Sequence, residues 1–156
     1  MDLTTFNTTI DEFTSSVRKL EEDLKVRASN LFKEAVKELF VFLPDVKAVT
    51  WTQYTPYFND GDECFFRLNE VVYVTGAPEG EEVVDYAASN SPYELEDSDC
   101  AFTEYDLEKG SEKREIVKSF EKLLSSMENQ LKATFGDHVQ VIVSPDKVIV
   151  NEYDHD

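Results

Sequence analysis

The side chains most able to do chemistry in this chain are carboxylates, and two short stretches set them beside other ligand types. Asn59-Asp60-Gly61-Asp62-Glu63 gathers several oxygens on one tight turn, as part of a calcium loop does. The full loop pattern is incomplete, because no third oxygen pair and no bidentate Glu follow at the required spacing. Turn geometry supplied by Asn, Asp and Gly is therefore the preferred reading. Both histidines also sit beside acids, in Asp137-His138 and Tyr153-Asp154-His155-Asp156. Imidazole and carboxylate suit several divalent ions, and a terminal hairpin could bring the two stretches together. Asp60, Asp62, Asp154 and His155 are thus weak metal candidates. Histidines at strand ends beside acids are more often solvated, and no metal or cofactor is expected.

Catalytic signatures are missing. The chain has no Walker loop, no GxGxxG, no GxSxG and no HExxH. Acidic pairs are so frequent that no single pair stands out as a general acid and base. Cys64 and Cys100 lack a neighbouring His that could activate a thiol, and two cysteines are too few for a disulfide framework. No catalytic residue is assigned, and a non-enzyme is expected. Trp51, Tyr54, Tyr57 and Phe58 form an aromatic stretch suited equally to a core or to a recognition patch.

The charge is the strongest signal. The 156 residues carry 33 acids and 15 bases, a formal charge of −18. Residues 44–110 hold 16 acids and 3 bases, whereas residues 1–43 hold 8 and 6. The densest part, 76–110, has eleven acids against Lys109 alone. Phosphate repels such a chain, and Lys113, Arg114, Lys118, Lys122 and Lys132 make too small a basic patch to reverse that. Direct nucleic-acid binding is not expected. Neither is a membrane span, since no run of about eighteen apolar residues occurs. Met1 to Ile10 is polar, so no signal peptide is expected either.

These groups must be positioned by an α+β domain. Thr9 to Leu43 reads as one long helix, opened by the capping box Thr9-Ile10-Asp11-Glu12 and stopped by Pro44. Phe6, Ile10, Phe13, Val17, Leu20 and Leu24 alternate steps of four and three, a coiled-coil seam. Farther on, Leu31, Phe32, Ala35, Val36, Leu39, Phe40 and Leu43 broaden the stripe toward burial. Val46–Tyr54 and Cys64–Thr75 read as antiparallel strands around a loop. Residues 76–110 show no sustained period and read as a long acidic loop or excursion. Ser111–Phe135 is a second helix capped by Gly136, with the first helix as its natural partner. Val139–Val143 and Val148–Tyr153 close a terminal hairpin. The expected architecture is a single domain ordered α-β-β-loop-α-β-β, with two helices on one side of an antiparallel sheet of about four strands.

Three stretches, Trp51–Asp62 (WTQYTPYFNDGD), Phe135–Val139 (FGDHV) and Glu152–Asp156 (EYDHD), resemble a family of small acidic proteins encoded by tailed bacteriophages. The resemblance carries over no catalytic residues. It implies a phage gene product acting in the cytoplasm of an infected bacterium.

Carboxylates spaced like phosphates can compete for a groove lined by Lys and Arg. The expected role is therefore binding and modulation of a basic host protein, by mimicry of DNA charge. The expected contact residues are Asp60, Asp62, Glu63, Glu79, Glu81, Glu82, Asp85, Glu94, Glu96, Asp97, Asp99, Glu104, Asp106 and Glu108, with Tyr54 and Tyr57 as aromatic anchors. High charge also simply keeps a protein soluble. The alternative is an oligomeric structural protein, a homodimer built on the seam Ile10, Phe13, Val17, Leu20 and Leu24.

Overall fold

Strand β1 (Ala48–Tyr54) is the organising element, buried along nearly its whole length. The fold is that of a computed structural model, which describes residues 2–57 and 61–154. β1 pairs antiparallel with β2 (Arg67–Leu68) and β3 (Val72–Val74) on one edge, and with β5 (Val139–Val143) on the other. β3 continues to β4 (Ala101–Phe102), and β5 to β6 (Val148–Glu152). The strand path among the described residues is β4-β3-β1-β5-β6, with β2 pairing β1 beside it. Fold class and antiparallel pairing are as the sequence predicts, with six strands in place of about four.

The layers differ from the expectation. Along β1 and β5 successive side chains point to opposite faces of the sheet, and both strands are buried on both. Ala48, Val72, Val74 and Ile142 form one packed cluster with Ala87 and Leu95. Those two belong to α2 (Val83–Ala88) and α3 (Pro92–Glu96), inside the stretch expected to be a loop. On the opposite face Gln53 and Tyr73 reach α5 (Glu128–Phe135) and α4 (Glu112–Ser126). Helices thus cover both sides of the sheet, and the acidic segment is its second layer. A 3₁₀ turn (Glu104–Asp106) completes that segment, closed by reciprocal bonds between Thr103 and Asp106.

The second helix is two helices. Ser126 Oγ donates to Leu123 O at 2.7 Å, competing for a helical carbonyl, and the chain breaks at Met127 before α5 begins. α4 packs on α5, β2 and the 3₁₀ turn. Gly136 follows α5 with φ of +103°, and its amide donates to Lys132 O, the capping role its position suggests.

The first helix, α1 (Leu3–Phe42), starts earlier than the capping box at Thr9 suggests. Asp2 Oδ1 accepts from Thr5 N at 2.8 Å and supplies the cap. Thr9 lies mid-helix, its hydroxyl donating to Thr5 O. The stop before Pro44 is as expected. The chain divides into two compact units, Met1–Glu34 and Ala35–Asp156. The first is α1 alone beyond Asp2; the second holds the sheet, the other helices and the end of α1, where Val36 and Leu39 are buried, as is Leu43 just beyond it. No helix among the described residues is long and apolar enough to cross a membrane.

Candidate functional site

The acidic segment is fastened to the sheet from beneath. Val84, Ala87, Pro92 and Leu95 are buried, and two side chains on the neighbouring strands grip the backbone between α2 and α3. Gln140 Nε2 donates to Asn90 O at 2.9 Å and Ala87 O at 3.4 Å, and also to Thr50 Oγ1. Asn151 Nδ2 donates to Ala88 O at 3.1 Å. A helix of six residues has little stability of its own. These bonds and the apolar contacts hold it.

Most of the acids expected to meet a partner point outward from this layer. Glu79, Glu81, Glu82, Asp85, Glu94, Asp97, Asp99, Asp106 and Glu108 are exposed, and Glu96 and Glu104 are half-buried. Asp62 and Glu63 are exposed as well, while Asp60 lies outside the described residues. Three of the acids have local work. Glu94 accepts from Ser91 Oγ at the start of α3, Asp106 caps the 3₁₀ turn, and Glu104 lies 3.8 Å from Arg114 Nε. Gly80, Glu81, Glu82, Asp85 and Tyr86 line a shallow depression of about 260 Å³.

Behind this face lies a carboxyl cluster that sequence reasoning missed. Glu121 Oε2 accepts from the Tyr73 hydroxyl at 3.2 Å. Burial, then the charges of Glu104 and Glu70, push the Glu121 carboxyl up to about 7 against the hydrogen bond from Tyr73. Glu70 is likewise pushed up to about 7, by burial, by a shared hydrogen bond and charge with Glu96, and by Asp106. The two acids stand fifty-one positions apart, so no local pattern marks them. A folded-state carboxyl that keeps its proton to about pH 7, against an ordinary value of 4.5, binds more protons than the open chain between those values. Stability therefore falls as pH rises through that window. Glu121→Gln should match the wild type near pH 4 and unfold higher by about 2–4 °C at pH 8. Thermal melts at both pH values test this, and parallel profiles would overturn it.

At one end of the sheet residues from three separate stretches, 54–57, 137–138 and 153, meet. Thr55 donates to Asp137 from its amide and its hydroxyl, both at 2.7 Å. Tyr54 stacks on Tyr153 at 5.9 Å and Tyr57 on His138 at 4.8 Å. The His138 amide donates to Asp137 Oδ1, and the His138 carbonyl accepts from Tyr153 N. Burial pulls the Asp137 carboxyl upward, but the Thr55 bonds and the contact with His138 outweigh it and hold it below the usual range. His138 has φ of +57°, a conformation that costs a non-glycine residue energy. Tyr57, Asp137, His138, Glu152, Tyr153 and Asp154 line an open depression of about 560 Å³. Of the expected anchors, Tyr57 is exposed and Tyr54 half-buried, while Trp51 is core, its indole donating to Gln53 Oε1 at 3.0 Å. Phe58 lies outside the described residues.

Among the described residues no three His, Cys, Asp or Glu side chains come together as a metal site. The candidates Asp60 and His155 lie outside those residues. The fold and its outer layer define an acidic α+β protein with an ordered carboxylate face. Compared with protein-family models, curated proteins and solved structures, the chain has no significant match.

Proposed function

We propose that this is a non-enzymatic phage accessory protein that uses the acidic face of residues 76–110 to bind and modulate a basic host protein in the bacterial cytoplasm, occupying a groove built for DNA. The observation that carries the reading is the fastening of that segment. Carboxylates on a floppy loop would lose conformational entropy on docking. Here the apolar side chains Val84, Ala87 and Leu95 and the amides of Gln140 and Asn151 already hold the backbone. Glu79, Glu81, Glu82, Asp85, Asp97 and Asp99 are exposed on or beside the helices so held, and carboxylates on a held backbone compete with phosphates for a basic groove at smaller entropy cost.

The test is capture from bacterial lysate on the immobilised protein, with washes at low and high salt. A basic nucleic-acid-binding protein should be retained at low salt and released by high salt or by duplex DNA. Recovery only of partners that DNA does not displace would overturn the mimicry, and recovery of none would overturn the reading as a whole.

A further inference from the structure

The N-terminal part of α1 keeps a strict seven-residue repeat. Leu3, Ile10, Val17, Leu24 and Leu31 recur at one position of the heptad and Phe6, Phe13 and Leu20 at the other, with Arg27 in the next place. All eight apolar side chains stand 42–73% exposed. Ala28 and Phe32, off the repeat, are buried. The strip therefore does not belong to the core, and Leu31 extends the seam beyond Leu24.

We infer that this strip is the interface of a two-stranded coiled coil between two copies of the chain. The inference is independent of the proposed function. A repeat of 3.5 residues per turn stays on one side of a helix only when the helix winds around another of the same period. Twenty-eight residue steps, from Leu3 to Leu31, span about 42 Å, and a repeat kept through three full heptads and half of a fourth has the length that marks a coiled coil.

Charge selects a second copy as the occupant. Residues 1–43 hold 8 acids and 6 bases in a chain of net −18. Two copies of this helix therefore repel far less than two copies of residues 44–110 would, and a strongly basic partner has little reason to choose it. The positions flanking the seam are Asn7, Thr9, Thr14, Ser16, Glu21, Asp23, Ala28 and Asn30; in a parallel, in-register pair Glu21 falls opposite Ser16 and Asp23 opposite Ala28, so no two like charges face each other. Coiled coils that exclude self-pairing place like charges there. Pairing also puts two acidic faces on one particle, so a partner with two basic sites would be held with added avidity.

Light scattering on the full chain, from about 1 to 200 µM at physiological salt, tests the inference. The expected mass is twice 17.9 kDa. Phe13→Glu with Leu20→Glu should raise the dimer dissociation constant at least about 100-fold. The far-ultraviolet spectrum and melting of the sheet-containing unit should persist. Glu12→Gln with Glu22→Gln, outside the seam, should leave the dimer intact. A wild-type chain that stays at 17.9 kDa throughout, as a strip reserved for another protein would give, overturns the inference. So does a mass of three or more chains, or a Phe13/Leu20 variant that dimerises like the wild type.

Discussion

Replacing Glu79, Glu81, Asp97 and Asp99 together by Lys should weaken capture of the basic partner by roughly 100-fold and flatten its salt dependence. Each exposed ion pair contributes modestly, about 0.2–1 kcal/mol. Four pairs lost and turned repulsive come to about 3 kcal/mol, two orders of magnitude in affinity. These four are chosen because they are exposed and stand apart from the local bonds that Glu94, Glu104 and Asp106 make. The matched control reverses Asp11, Glu12, Glu22 and Glu38 on α1, giving the same net charge on a different surface. Titration calorimetry or surface binding at three salt concentrations reads both. Equal losses in the two variants would mean that diffuse charge, not an ordered face, drives binding. An unchanged affinity in the first variant would remove the acidic face from the interaction.

Gln53→Leu should be strongly destabilising although it replaces a polar side chain by an apolar one. Gln53 is fully buried. Its Nε2 donates to Leu131 O at 3.0 Å and Gly136 O at 2.8 Å, and its Oε1 accepts from the Trp51 indole. The amide thus ties β1 to the end of α5, directly beside the turn that carries Asp137 and His138. Leucine matches the volume approximately but leaves two carbonyls without that donor, at a cost of roughly 2–4 kcal/mol in all. For a chain of this size the melting temperature should fall by about 6–12 °C. Urea unfolding followed at Trp51 should show a lower midpoint with the same slope. A midpoint within error of the wild type would show that the network is dispensable.

Several elements were legible in the sequence for local reasons. Helical spacing of apolar residues and Pro44 define α1 and its end; alternation and β-branched residues define β1 and the terminal hairpin; Gly136 marks the end of a helix. The seam was legible too, because a strict repeat is a property of sequence alone. Its exposure was not, since Leu31 and Phe32 are adjacent apolar residues of which one is exposed and the other buried. The start of α1 was misplaced for a related reason, as Asp2 and Thr9 are both acceptable caps and the chain uses the earlier one. Residues 76–110 misled most. VVDYAA and PYELE are too short to show a period, and they are held by Leu95 packing on the sheet and by Gln140 and Asn151 on the strands beneath. A glutamine inside the apolar run VQVIV was the available clue, for a buried amide must find partners.

By itself the sequence determined the α+β class, the long first helix with its heptad repeat, the two local antiparallel pairings and the concentration of acid in the middle of the chain, but not the central pairing of β1 with β5. These follow from periodicity, turn chemistry and composition, which act between residues close in sequence. The tertiary structure alone decided that the acidic segment is a layer rather than a loop and that Glu70 and Glu121 share one carboxyl cluster. It also decided that Tyr54, Tyr57, Asp137, His138 and Tyr153 form one corner. Each of those outcomes depends on burial and hydrogen bonds between residues roughly fifty to a hundred positions apart, and such contacts leave no periodic trace in the chain that makes them.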